Sequence, residues 1–162
     1  MVLLSPPSAI ATESRSLIEI RVYGIPAPQG SKTVSRWGGL RESSKAVGPW
    51  RSEVGYASRQ AYAGPPLSVP VELDVTFYFP RPKGHYGTGR NADKLKPSAP
   101  IHCTSCKHGD LDKLCRSTLD GLAVRSGGSV ITDDSLVVAL NCQKRYASAD
   151  TQPGALVRIV PA

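Results

Sequence analysis

No stretch of the 162-residue chain approaches the roughly 18 consecutive apolar residues that a membrane span needs, which excludes a transmembrane helix. The opening run MVLLSPPSAIATES lacks the basic start and unbroken apolar centre of a secretory signal, so a soluble, cytoplasmic protein with no membrane partner is expected. Cysteine is sparse. Cys103, Cys106, Cys115 and Cys142 do not require a disulfide framework in a chain long enough to bury its own core, and reduced thiols are expected. Acidic residues are outnumbered, 13 against 20 Lys and Arg, and the net charge of +7 favours an anionic partner such as nucleic acid. The hydrophobic share, 40%, is modest, whereas 15 Gly and 14 Pro promise substantial loops around a small core. The G-x-x-x-x-G-K-[ST] spacing is missing from Pro28-Gln29-Gly30-Ser31-Lys32, so no nucleotide cofactor is expected. That turn is better suited to offer Lys32 and free backbone N–H groups to a DNA phosphate.

The length fits one domain. Residues 1–16 mix Ser, Pro and Ala without a period and read as a flexible leader ahead of an ordered domain over 17–162. Leu17 to Tyr23 is β-branched and alternating, as in a strand with one wet face. Pro49 to Ala63 places Trp50, Val54, Ala57 and Ala61 at three- and four-residue steps between Gly-Pro stop signals, which predicts a helix. From Val69 to Phe79, Val71, Leu73, Val75, Phe77 and Phe79 alternate with polar residues, the clearest period of two in the chain. Pro80 to Gly109 is basic, rich in Pro and Gly and aperiodic, a long loop of the kind that is usually functional. Leu111, Leu114, Cys115, Thr118, Leu119 and Leu122 then form an apolar helical stripe, and Ser135–Tyr146 and Ala155–Val160 read as two final strands. The predicted fold is α+β: a single domain with a mixed sheet of about four strands packed with two helices, in the order β-α-β-loop-α-β-β. Trp50 reads as core, and Trp37 and the six tyrosines are too scattered to argue single-strand binding.

Five of the 13 carboxylates, Asp110, Asp112, Asp120, Asp133 and Asp134, fall between 110 and 134, and all five are Asp. Short, stiff carboxylates suit Mg2+, which takes one or two of them together with waters and phosphate oxygens. At about 100° per residue, Asp112, Arg116 and Asp120 share one polar helix edge, with Asp110 at the helix start. If the strand after Asp133 and Asp134 packs beside that helix, Asp134 meets Asp110 and Asp112 from the opposite side. The plainer alternatives are an N-cap for Asp110, an i, i+4 surface pair for Arg116 and Asp120, and turn residues for Asp133 and Asp134. A basic surround favours the metal site, because carboxylates approaching a polyanion need positive charge nearby; Lys107, Lys113 and Arg116 lie beside the acids. Cys103-x-x-Cys106, flanked by His102 and His108, has the residue types of half a zinc site, but no second half follows locally. The alternative is a loop holding two thiols. Cys115 and Cys142 read as small buried hydrophobes.

The run from Asp110 to Leu122 (DLDKLCRSTLDGL), followed by Ile131-Thr132-Asp133-Asp134-Ser135-Leu136-Val137-Val138 and Lys144-Arg145-Tyr146, resembles the RusA family of Holliday junction resolvases. The motifs span 37 residues, and the joined D-x-D-x-L-x-[KR]-x-x-x-D and D-D-[SA]-x-[VI] patterns are far more specific than D-x-D alone. The resemblance implies a small basic homodimer of bacteria and their phages that cuts four-way DNA junctions with Mg2+, for which Mn2+ substitutes. It places the catalytic acids on Asp110, Asp112 and Asp134, with Asp133 as a further metal ligand, Asp120 in support, and the basic catalytic position on Arg116. Some members carry Lys there, and Arg cannot serve as a proton donor at ordinary pH. DNA contacts are then expected from Lys32, Lys107, Lys113, Lys144 and Arg145. Competing readings are a non-catalytic basic nucleic-acid module, a zinc-loop interaction protein, and a nuclease preferring flaps or forks.

Overall fold

The computed structural model describes residues 15–30, 32–42 and 44–162. The expected leader therefore lies outside the described residues except for Arg15 and Ser16. The first strand, β1 (Ile18–Tyr23), turns Ile18, Ile20 and Val22 into the core and Glu19 and Tyr23 to solvent. A short hairpin of β2 (Lys32–Val34) and β3 (Leu40–Glu42) follows as a separate two-stranded sheet. It is too brief to show a hydrophobic period, and the sequence gives no sign of it. Its tip carries Trp37, 93% exposed.

Helix α1 (Val47–Ala61) starts two residues ahead of Pro49, which is tolerated because the first turn of a helix has no internal partner for that nitrogen. It stops where Tyr62 becomes extended. The strand β4 (Val71–Phe79) begins after Pro70 and not at Val69, since proline offers no N–H to a ladder. Helix α2 (Leu111–Leu122), strand β5 (Val137–Tyr146) and strand β6 (Gly154–Pro161) complete the chain. Ser135 and Leu136, expected at the start of β5, belong instead to a single 3-10 turn over Asp134–Leu136.

The main sheet runs β1-β6-β4-β5, with β4 and β5 parallel and the other two pairs antiparallel, so the fold is α+β with a mixed four-stranded sheet. The inward-facing apolar rows of β1, β4 and β6 meet Trp50 and Val54 of α1 and Leu114 and Leu122 of α2 in one core. Each large side chain buried there contributes roughly 1.5–3 kcal/mol. The helices approach closely because Gly121 has no side chain: a Cβ there would stand 2.7 Å from Cβ of Val54. Trp50 is buried, and its indole N–H donates to Thr118 Oγ1 at 3.1 Å, tying α1 to α2.

The other face of the sheet is polar. Arg158 donates to Glu19 at 2.9 Å, Asn141 to Asp74 at 3.0 Å and Gln143 to Thr76 at 3.1 Å. The long connection from β4 to α2 is more ordered than its composition suggests. Three 3-10 turns and a bridge between Tyr86 and Leu95 shape it, and Arg81 ties it by donating to Pro100 O within it and to Ala147 O just after β5. Cys103 from this segment is buried in the core, although the sequence around it carries no period.

Candidate active site

One face of α2 turns toward β5 at the margin of the core. Leu111, Asp112, Cys115, Arg116 and Leu119, which recur at four-residue steps, face Leu140, Asn141 and Cys142 of β5 across a cavity of about 650 Å3. Asp134 completes its lining. The stripe read from sequence is thus split: Leu114, Cys115, Thr118 and Leu122 are buried, whereas Leu111 and Leu119 are half-buried cavity wall.

The start of α2 is clamped from two sides. Gly109 has φ +79°, a conformation that excludes ordinary side chains, and Pro28 packs where its Cβ would be. Its carbonyl accepts from Lys144 Nζ at 2.9 Å. On the other side, Ser117 Oγ donates to Ala27 O at 2.6 Å and Gln29 N to Lys113 O at 3.1 Å. The segment read as a phosphate-facing turn is thereby stapled against α2, and the buried Gln29 Oε1 has no hydrogen-bond partner. Asp110 occupies the N-cap position, yet its carboxylate makes no capping bond. It is well exposed and paired with Lys113 Nζ at 3.1 Å.

Asp133 and Asp134 are adjacent but differ in role. Asp133 accepts from Ser135 N at 2.9 Å and from Arg125 at 3.5 Å, and the hydrogen bond from the Ser135 backbone holds its carboxyl below the usual range. Capping that turn engages Asp133, while Asp134 lines the cavity with Asp112 and Arg116. Asp120 also leaves the expected group: its carboxylate meets Arg51 of α1 at 2.7 Å and has no bond to Arg116. Three further lining residues are not among the candidate site residues. Asn141 lines it while donating to Asp74, and Cys115 and Cys142 touch, Sγ to Sγ, at 2.7 Å. Sharing a hydrogen lowers the pKa of the Cys115 thiol and raises that of Cys142, with burial adding to the rise.

Among the basic residues, Lys107 is exposed on the 3-10 turn just before Asp110, and Lys113 is on Asp110. Lys144 is committed to Gly109, and Arg145 sits in register with Tyr78 on the polar face of the sheet, its Nε buried without a partner. The Lys32 side chain lies outside what the structure describes. His108 stacks on Phe79 at 4.3 Å, and burial, then Lys144 and Lys107, lower its pKa. His108 and Cys103 are thus engaged elsewhere, and among the described residues no three His, Cys, Asp or Glu side chains are gathered closely enough to hold a metal ion unaided.

A family model described as endodeoxyribonuclease RusA matches residues 24–160. The chain belongs to the RusA endodeoxyribonuclease family. The match covers both helices, strands β2 to β5 and all but the last residue of β6, and begins just after β1, so the cavity and its acids lie inside it. As a RusA member the protein is an enzyme that hydrolyses phosphodiester bonds within DNA, and the family depends on a divalent metal. No curated protein matches the chain. No helix among the described residues is long and apolar enough to cross a membrane.

Proposed function

We propose that this RusA-family endonuclease resolves four-way DNA junctions by paired symmetric nicks, with Mg2+ as its metal and Asp112, Asp134 and Arg116 at the cutting centre. The observation that carries this reading is the common cavity of those three side chains; Asp110, exposed and one residue before the lining residue Leu111, adds a fourth candidate. The donor set fits Mg2+: its acids offer hard oxygens, and this ion ordinarily takes one or two carboxylates and completes its shell with water and phosphate oxygens. Asp112 and Asp134, which share the cavity, would hold it with waters and phosphate oxygens, and Asp110 would join them on releasing Lys113. When bound, such an ion lowers the pKa of a water and polarises the scissile phosphate.

The chain's own residues do the rest. The Arg116 guanidinium is always charged and presents a planar fork, so it binds the non-bridging phosphate oxygens and stabilises the charge that develops on them. It does not supply the proton to the leaving 3′ oxygen; that proton comes from solvent in the open cavity. Lys113, once free of Asp110, and Lys107 hold the adjacent backbone; a water oxygen bonds to phosphorus as the P–O3′ bond breaks, which leaves a 5′-phosphate and a 3′-hydroxyl. Leu111 and Leu119 exclude water from one wall of the cavity.

Two nicks placed symmetrically call for a twofold dimer. The outer strand β5, with Val138 62% and Leu140 42% exposed, supports a subunit contact at that edge of the sheet. Action on the DNA of a bacterial or phage-infected cell fits the cytoplasm. The test is cleavage of a labelled four-way junction beside linear duplex and flap DNA, in Mg2+, Mn2+ or EDTA, by the protein and its Asp112→Asn variant. Paired nicks that need both metal and Asp112, with junction binding retained in EDTA, are expected. Cleavage of flaps in preference to junctions would overturn the substrate, and binding without cleavage in either metal would overturn the mechanism.

A further inference from the structure

The resolvase reading makes no use of Cys115 and Cys142. They stand on different elements, α2 and β5, 27 residues apart in sequence, yet their sulfurs are in contact at 2.7 Å. Packing fixes both: Cys115 is part of the core, and Cys142 leans against it from the strand. Both also line the cavity shared with Asp112, Arg116 and Asp134, so a small solute entering that space reaches the pair. The other two thiols are set apart, Cys103 being buried in the core and Cys106 exposed on a turn.

We propose that Cys115 and Cys142 form a reversible dithiol–disulfide couple in the wall of the cutting cavity, through which an oxidant of the peroxide class suspends cleavage. The oxidant's oxygen passes to Cys115 sulfur, giving a sulfenic acid and one water. The thiol of Cys142 then attacks that sulfur and expels the sulfenic oxygen as a second water. Two thiols and one peroxide thus give one disulfide and two waters, with the thiols losing two electrons and the peroxide gaining them. An external thiol reductant reverses the bond. The bond closes a loop running from 115 to 142, which contains Arg116 and Asp134, and fixes the helix to the strand across the cavity. Phosphate entry then meets a wall that no longer adjusts, and misplacement by a fraction of an ångström is enough to slow a positioned reaction.

The effect on cleavage rests on the reading of Asp112, Arg116 and Asp134 as the cutting centre; the bond itself does not. The experiment uses the full chain carrying Cys106→Ser, which removes the exposed thiol, treated with hydrogen peroxide and then with dithiothreitol. Non-reduced peptide mapping is expected to show Cys115 joined to Cys142 with loss of two hydrogens. The melting temperature should rise by an amount on the order of 10 °C, as expected for closing a loop of this length. Junction cleavage should fall at least tenfold, recover on reduction, and no longer respond to peroxide once Cys142→Ala is added. Free thiols at 115 and 142 after treatment, or oxidation confined to Cys103, would overturn the couple. A mapped bond with cleavage undiminished would overturn its control of the reaction. If no junction is cut before oxidation, the resolvase reading fails, while the mapped bond and the melting shift still decide the couple.

Discussion

Gly109→Ala puts the clamp at the start of α2 to a quantitative test. Gly109 sits at φ +79°, ψ 176°, a region essentially confined to glycine, where a side chain costs about 1–3 kcal/mol. Its new methyl would also overlap the ring of Pro28, and overpacking of this kind costs about 1–3 kcal/mol more. The sum, about 2–6 kcal/mol, is less than the roughly 8–24 kcal/mol expected for a domain of this length, so the variant folds. At roughly 2–4 °C per kcal/mol, its melting temperature should drop by about 5–20 °C.

On the proposed function the strain also acts on cleavage, because Gly109 directly precedes Asp110 and accepts the Lys144 hydrogen bond. Relief by moving the peptide displaces the Asp110 carboxylate, and a displacement near 1 Å costs about 100-fold in rate. Melting is read by scanning fluorimetry, cleavage by single-turnover assay at 20 °C, and junction binding in EDTA, where it should persist. Adding Pro28→Gly should recover the overlap part of the loss and leave the backbone part. A Gly109→Ala protein that melts within about 1 °C of the parent and cuts within about twofold of its rate would refute the reasoning.

Asp120→Ala should strand Arg51 without its 2.7 Å partner, lowering stability by about 1.5–3 kcal/mol in denaturant melts while leaving the cleavage rate of the folded protein intact; a cleavage defect without a stability defect would return Asp120 to the site. Trp37→Ala removes a side chain exposed at a hairpin tip, so melting should not change, and a fall in junction affinity would mark the hairpin as a stacking contact, whereas unchanged affinity would exclude that role. The folded-state pKa of Asp133 is depressed, so its contribution is full above the ordinary carboxylate value and disappears as pH falls through the depressed one. Asp133→Asn should therefore be less stable than the parent near neutrality and equal to it in strong acid, and a constant difference across that range would contradict the capping role. Binding in EDTA should weaken steeply between 50 and 200 mM salt if phosphates are the main contacts, which a log–log titration measures.

Where the chain repeats a period, the fold is readable from it. The alternation in β4 and the helical stripe of α2 announce the two elements that build the core around the site, because burial on one face leaves a regular mark. The hairpin is silent for the opposite reason: three residues per strand leave no period, and its strands pair only with each other. The long loop misleads by composition, since its order comes from backbone carbonyls gripped by Arg81 and from one buried thiol, neither of which leaves a periodic mark. Within the site, Asp112, Arg116 and Asp134 are legible through spacing. The turning away of Asp120 depends on Arg51, 69 positions earlier, and the contact of Cys115 with Cys142 depends on how α2 lies along β5. Both are products of packing across elements distant in sequence.

The pairing of β1 with β6 brings the first and last strands together, with Ile18 opposite Ile159. Under tension applied at their outer ends, the load falls on one cross-strand hydrogen bond at a time, as in a zipper, and not on a whole ladder in shear. Such a geometry yields at low force. Because β6 separates β1 from β4, the first strand to peel is the one most remote from β5, and α2 and the turn ahead of β5, which bear the acids, are reached last. The same proximity makes the ends joinable by a short peptide, so new termini could be opened in the exposed 80–109 connection while keeping the strand order of the sheet.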